Sequence, residues 1–275
     1  AKQEEFIDSV PMYRYYLLSL MEEKPYQLSQ KEERILLKKE MTSSSAFSRL
    51  FDEHFSRMKF SFEGEKLSEE EILSKLQDPS REVRKKAADA FTKGLKQHQP
   101  LLAYIFNMIK TDLANECELR GYKSAEQPRH MDNKITQKSV DALIKSAESS
   151  FDLVQTYYTL KAKLLGLDEL FEYDRYAPLE ESASAYDFET SKQIVLDAFA
   201  KFSPKFFEIA SVAFEDKWID VLPKDKKRGG AFSHPATPST HPYVLLNHTN
   251  TRRDLFTLAH ELGHAIHQYL SRDVG

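Results

Sequence analysis

Two histidines and a glutamate near the end of the sequence have a spacing that could hold and use a metal ion. His260 and His264 are four positions apart in the stretch HELGH, and Glu261 directly follows the first histidine. Side chains four positions apart on an α-helix project from the same face, so both imidazoles can reach one zinc ion. Zinc lowers the pKa of a bound water, and Glu261 can hold and deprotonate that water for attack on a carbonyl group. The stretch therefore predicts metal-assisted hydrolysis with Glu261 as the catalytic base.

A zinc site of this kind needs a third protein ligand. The metzincin arrangement would place glycine at 267 and histidine at 270, whereas the sequence has His267 and Leu270. His267 lies about 10 Å of helix rise from His260, so both cannot easily bind the same ion. It could support the ligands or face a substrate, or be a partly exposed helix histidine. Gly263, which costs a helix about 1 kcal/mol relative to alanine, suggests that another backbone or a substrate comes close.

Three further histidines, His234, His241 and His248, precede the motif in a stretch rich in proline and turn residues. Each could line a cleft, although a surface or structural position is the simpler interpretation. We keep His234 and His248 as candidates that support the ligands or face a substrate.

A capped amphipathic helix is expected to position the motif. Thr251 and Asp254 form a capping signal, and apolar residues follow at helical spacing as far as Tyr269. Before this helix, residues 231–233 and 243–247 are short apolar runs between turn signals, which predict strands. An edge strand at this place could pair with an extended substrate.

The rest of the sequence is mainly helical. Capping boxes at Ser29 and Ser68 each open a helix, and the alternating apolar residues of 58–62 suit a short strand. Residues 81–120 are helical in pattern, with a break expected at Pro100. Between 140 and 158, apolar residues recur every three or four positions, which predicts one helix with a core-facing stripe. The predicted fold class is therefore mainly α, with a small strand-and-loop region before the motif.

Composition narrows the classes of function. The formal net charge of −4 comes from interleaved residues of both signs, so nucleic acid and membrane are not expected as partners. Cys117 is the single cysteine, which excludes an intrachain disulfide and favours the reducing cytoplasm. We expect Cys117 to be a small buried helix residue.

Several stretches together resemble one enzyme family. They are RGYKS at 120–124, YYTLKAKLLGLDEL at 157–170, YDRYAPL at 173–179 and the long stretch from Gly230 to His267 that contains HELGHAIH. With the early segments YRYYLLSL and LSQKEERIL, they resemble the oligoendopeptidase F branch of the thimet-oligopeptidase-like zinc metallopeptidases.

The resemblance implies a mostly helical zinc endopeptidase that hydrolyses short peptides. It assigns zinc binding to His260 and His264 and catalysis to Glu261, and it divides the chain into a helical N-terminal domain (1–78) and the first part of the catalytic domain (79–275). The family's third ligand is a glutamate about 25 residues beyond the second histidine, so we expect it to lie outside this sequence, in a missing C-terminal part that would act as a partner. The alternative is a non-catalytic fragment that binds peptides or assists assembly.

Overall fold

The computed structural model describes residues 2–179 and 186–272, with side chains described from residue 5 onward. Its secondary structure is mainly α-helical, which confirms the predicted fold class. The chain forms two compact units, one from residues 1–52 and 98–168 and the other from residues 53–97 and 169–275. The domain boundary expected at residue 78 rests on the family resemblance and stays a prediction.

The α-helices of the described chain are α1 (Lys2–Ser9), α2 (Arg14–Glu23), α3 (Gln30–Glu40), α4 (Ser44–Phe55), α5 (Glu69–Ser74), α6 (Arg81–Arg120), α7 (Gln127–Asp132), α8 (Gln137–Glu148), α9 (Phe151–Leu164), α10 (Phe188–Phe202), α11 (Pro204–Glu215) and α12 (Arg252–Ser271). The strands are β1 (Phe60–Phe62), β2 (Glu65–Leu67), β3 (Ile219–Asp220), β4 (Phe232–His234) and β5 (Tyr243–Leu245). No helix in the described ranges is long and apolar enough to cross a membrane.

In the first unit, the expected capping box opens α3. The Ser29 hydroxyl accepts the Glu32 N–H, and the Glu32 carboxylate accepts the Ser29 N–H in return. The end of α6 is tied to α3 by an ion pair of 2.8 Å between Arg120 and Glu33. Cys117 is a free, buried thiol on α6, as expected. Local capping and a few side-chain ties thus fix the helices of this unit.

The break expected at Pro100 was wrong. α6 is 40 residues long and continues through this proline. An interior proline removes one backbone hydrogen bond and costs a helix about 3 kcal/mol. On either side of it, however, α6 is held by packing, since Ala87 is fully buried and Ile105 is 2% exposed. Packing on both sides therefore keeps the helix intact.

The prediction of one core-facing helix over 140–158 was wrong in two respects. The segment is divided into α8 and α9, because the hydroxyls of Ser149 and Ser150 both donate to the Ser146 carbonyl and compete with the backbone hydrogen bonds. Its apolar side chains are also largely exposed, among them Leu143, Phe151 and Val154 at 70%, 56% and 52%. Apolar residues at helical spacing indicate an amphipathic helix, but they do not show which part of the protein covers its apolar face.

The second unit contains a small hairpin core. β1 and β2 pair antiparallel, as the alternation at 58–62 predicted, and Phe60 is fully buried with Ile72 of α5. Gly94 of α6 lies against Phe60, because a β-carbon at this glycine would be 2.5 Å from the Phe60 ring. The absence of a side chain at 94 therefore lets α6 approach the hairpin.

A buried ion cluster is built from the YDRYAPL stretch. Asp174 is fully buried, and its carboxylate oxygens each lie 2.9 Å from a guanidinium nitrogen, of Arg81 and of Arg84. Burial would raise the pKa of Asp174, but the hydrogen bonds from the two arginines outweigh it and hold that pKa below its ordinary value. The cluster fastens residues 171–175 to the start of α6.

The main core of the second unit lies between α10, α11, α12 and a three-stranded sheet. The strand order is β3-β5-β4, with β5 parallel to β3 and antiparallel to β4. Trp218, Val244 and Leu246 pack there against Leu258 and Leu262 of α12. This core sets the position of the helix that carries the HELGH residues.

Candidate active site

α12 presents the two histidines on the face opposite its core contacts. The expected capping box is present, since the Thr251 hydroxyl accepts the Asp254 N–H and the Asp254 carboxylate accepts the Thr251 N–H. On the core side, four apolar side chains are at most 1% exposed, namely Leu258, Leu262, Ala265 and Ile266. His260 and His264 are exposed. The amphipathic pattern therefore fixes where both imidazoles point.

The two imidazoles converge as a pair of metal ligands would. Their Nε2 atoms are 3.0 Å apart, and the two rings are nearly perpendicular. Two Zn–N bonds of about 2.0–2.1 Å at a tetrahedral angle place the nitrogens about 3.3 Å apart. The pair therefore fits one zinc ion with a small adjustment.

Glu261 lies beside this pair at the border of the core. The residue is 7% exposed. Its carboxylate forms no hydrogen bond or ion pair with the described residues, yet neither oxygen is completely shielded from solvent. A carboxylate in this condition has its acceptor sites open for a water molecule.

A complete zinc site requires more than this pair. Within residues 2–179 and 186–272, no three His, Cys, Asp or Glu side chains come together as a metal site. Gly263 lies on the exposed side, and a β-carbon added to it would meet nothing within 4 Å in the described chain. The close approach that this glycine suggested is therefore not made by the described residues.

The edge strand that contacts α12 is β4, whereas β5 packs on α12 from the centre of the sheet. Both predicted strands are present, but β5 is the central strand of the sheet and β4 is at its edge. The Val244 N–H donates to the Trp218 carbonyl, on the side of β5 opposite β4. Ser233 is the register partner of Val244 in the antiparallel β4–β5 pair. The N–H and C=O of Ser233 therefore point away from β5, to the outer edge of β4. Gln268 of α12 contacts this outer edge through the Ser233 hydroxyl and carbonyl.

The remaining histidine candidates differ in their surroundings. His267 is exposed on α12. His234 is exposed on β4, and its Nδ1 accepts the Ala236 N–H. His248 is 3% exposed; its Nδ1 accepts the Asn250 N–H, which leaves Nε2 to donate to the Ser191 hydroxyl.

His241 has a structural position. It stacks on Trp218 with 4.9 Å between ring centroids, and its Nδ1 is 2.8 Å from the Pro242 carbonyl oxygen. His234 and His267 are exposed, and they remain the candidates that could face a substrate.

A cavity of about 130 Å³ lies beside the first turns of α12. Its lining comes from α5, from the segments at 230–231 and 246–249, and from α12 itself, where Arg253, Asp254 and Thr257 contribute. Glu70 of α5 accepts the Gly230 N–H there, across 160 positions of sequence. Sequence reasoning missed this cavity because its walls are distant in the sequence. The sequence signal for it was that Arg253 and Thr257 lie at helical spacing from His260, on the same face of α12.

Comparison with known proteins identifies the family. A model of Peptidase family M3 matches residues 74–274, more than two thirds of the chain. The chain belongs to peptidase family M3. A second model, described as Oligopeptidase F, matches residues 1–60. The M3 match includes all of α12 and the three-stranded sheet.

Curated relatives agree with this M3 assignment. The chain is 32% identical to Oligopeptidase PepF of Bacillus subtilis, with 98% of this chain and 42% of that protein aligned. It is 30% identical to an Oligoendopeptidase F homolog of Lactococcus lactis, with 95% of this chain and 44% of that protein aligned. The resemblance to oligoendopeptidase F is thereby confirmed, and the chain spans less than half the length of these relatives.

Solved structures show the same fold. PZ peptidase A, in a structure with an inhibitor, matches with a TM-score of 0.84 at 19% identity, over 96% of this chain and 47% of that one. Oligoendopeptidase-F from Enterococcus faecium matches with a TM-score of 0.58 at 19% identity, over 77% and 40% of the two chains. At these identities the likeness to both structures concerns the fold alone.

Proposed function

We propose that the protein containing this chain is a zinc-dependent endopeptidase that hydrolyses short peptides. The observation that carries the proposal is the pair of Nε2 atoms 3.0 Å apart on the exposed face of α12, with Glu261 beside it. Membership of peptidase family M3 supports the reaction class. The names of the curated relatives, Oligopeptidase PepF and Oligoendopeptidase F, support short peptides as substrates.

In this proposal His260 and His264 hold the zinc ion, and a third ligand comes from protein outside the 275 residues. Zinc, when bound, makes a water more acidic and polarises the peptide carbonyl. Glu261 accepts the proton of the attacking water and returns it to the nitrogen of the leaving amine. Its open acceptor sites and its place next to His260 suit both transfers.

The outer edge of β4 is the proposed binding strand for the peptide. An extended peptide can add to an exposed sheet edge through backbone hydrogen bonds, which hold peptides of different sequence. Ser233 directs its backbone N–H and C=O to that side, and Gln268 ties the edge to α12. His234, at the end of β4, and His267, on α12, are candidate contacts to a bound peptide.

The test is hydrolysis of internally quenched fluorescent peptides by the complete protein with zinc. Glu261→Gln should lower kcat by about 10²- to 10⁴-fold while the protein still binds zinc, since both histidines remain. Glu189→Gln, an exposed residue of α10, is the control and should keep full activity. Activity retained by Glu261→Gln would refute the role of this carboxylate.

A non-catalytic fragment that binds peptides or assists assembly is the second candidate. The observation that favours it is that no third ligand accompanies His260 and His264 within residues 2–179 and 186–272. Under this hypothesis the chain alone should bind zinc weakly. A zinc titration of the chain alone and of the complete protein separates the two. A cytoplasmic location remains part of the proposal and rests on the single cysteine.

A further inference from the structure

Arg253 lines the cavity beside α12 and has no anionic partner among residues 5–179 and 186–272. Its one contact among the described residues is with the Tyr176 ring, 5.8 Å from the guanidinium carbon. The hydroxyl of Thr257, one turn further along, also forms no hydrogen bond in the described chain. A guanidinium with free donors is the group that best fits a carboxylate, because two of its N–H groups can bind both oxygens.

Several other polar groups of the cavity are already in use. Glu70 accepts the Gly230 N–H, and Asp254 accepts the N–H groups of Thr249 and Thr251 in the cap of α12. The Asn247 amide donates to two backbone carbonyls. Among the described lining residues, Arg253 is the cationic group.

The position of Arg253 relates the cavity to the proposed reaction site. Arg253, Thr257, His260 and His264 follow at steps of four, three and four, so they share one face of α12. From Arg253 to Glu261 the helix rises about 12 Å. An extended peptide covers that distance in about three to four residues.

The direction of β4 predicts which end of a peptide reaches the cavity. The segment leading into β4 starts at the cavity with Gly230 and passes Ser233 at the Gln268 contact, so it runs in the same direction as α12. Antiparallel strand pairs outnumber parallel ones by two- to threefold. A peptide antiparallel to β4 would have its C-terminal end at Gly230 and thus beside Arg253.

We propose that Arg253 binds a carboxylate at the C-terminal end of a short peptide, with the last residue of the peptide in the cavity. The inference rests on the proposed function and adds a substrate preference to it. A volume of about 130 Å³ suits one residue, since sites for whole drug-sized ligands occupy about 300–1,000 Å³. Anchoring at this point would set the cleaved bond within about four residues of the C-terminus.

The test is equilibrium binding to the complete protein carrying Glu261→Gln, measured by anisotropy of N-terminally labelled peptides without acidic side chains. A free C-terminal acid should bind about tenfold more tightly than the same peptide as an amide, as expected for a charge-assisted hydrogen bond. Arg253→Gln should remove this difference. Arg252→Gln, which changes the neighbouring exposed arginine outside the cavity, should preserve it.

Two further arms identify the source of the carboxylate. An amidated peptide ending in glutamate should bind more weakly than the free acid; equal binding would mean that a side-chain carboxylate serves as well and would overturn the terminal assignment. Equal binding of acid and amide by the protein with Arg253 intact would refute the inference.

Because binding is read without catalysis, the result is independent of the proposed hydrolysis. If the protein with Arg253 intact cleaves peptides but does not prefer the free acid to the amide, this inference alone is refuted. If the protein cleaves, lengthening a peptide at its N-terminus should leave the cut at a constant distance from the C-terminus, and a cut that keeps its distance from the N-terminus would contradict the anchor.

Discussion

We predict that Glu69 makes the stability of the second unit depend on pH near neutrality. Burial, reinforced by the neighbouring charge of Glu70, raises the pKa of Glu69 to about 7. Its carboxylate lies against the backbone of Gly229, where a β-carbon would be 2.4 Å from Oε2. Lys59, Lys224, Lys226 and Lys227 line the same hollow.

None of those lysines forms an ion pair with Glu69 in the described chain, and Lys59 and Lys227 among them pair with other carboxylates. Lys59 is 3.1 Å from an Asp225 oxygen, and Lys227 is 3.3 Å from an Asp220 oxygen. The ionised form of Glu69 is therefore poorly compensated in the folded state.

The direction of the effect follows from proton linkage. Between pH 4.5 and about 7 the folded protein retains the Glu69 proton that the unfolded chain releases, so the free energy of unfolding falls as pH rises through that window. At about 1.36 kcal/mol per pKa unit the full effect would be about 3 kcal/mol. Since the side chain is only half-buried, solvent screening reduces the expected value to about 1–2 kcal/mol.

The perturbation is Glu69→Gln, a neutral side chain of the same shape. The advantage of the variant over the original protein should grow by about 1–2 kcal/mol between pH 4.5 and pH 8. Urea unfolding can be followed by the fluorescence of Trp218, the single tryptophan, which lies in the core of this unit.

Glu65→Gln, at an exposed position of β2, is the matched control and should show no such trend. A constant difference between Glu69→Gln and the original protein across this pH range would refute the reasoning.

Three further predictions use the same fluorescence. Asp174→Ala should lower the free energy of unfolding by about 3–5 kcal/mol, because it leaves the buried Arg84 without its carboxylate. Since the pKa of Asp174 is lowered in the folded protein, this loss should shrink below pH 4, where the unfolded chain takes up the proton first. A loss that does not depend on pH would contradict the ion-pair account. Gly94→Ala should destabilise by about 1–3 kcal/mol despite better helix propensity, because the new methyl meets Phe60. Gly263→Ala, with open space in the described chain, should stabilise by up to about 1 kcal/mol, and the same sign for both glycines would show that propensity and not space decides.

The sequence by itself determined the local features of this protein. The capping box at Thr251 and the apolar spacing after it define α12, because capping and amphipathicity depend on residues within a few turns. The same spacing places His260 and His264 on one face. The mainly α fold class and the hairpin at β1 and β2 follow from patterns of equally short range.

Tertiary structure decided whatever depended on distant parts of the chain. Pro100 and the stripe at 140–158 were misread because the packing that keeps a helix whole or covers its apolar face is not encoded locally. The edge position of β4 is set by which strands pair with β5, and the cavity at Arg253 exists because α5 is fastened to Gly230. The sequence thus specified the chemistry of α12, and long-range contacts specified the surface to which a peptide could bind beside it.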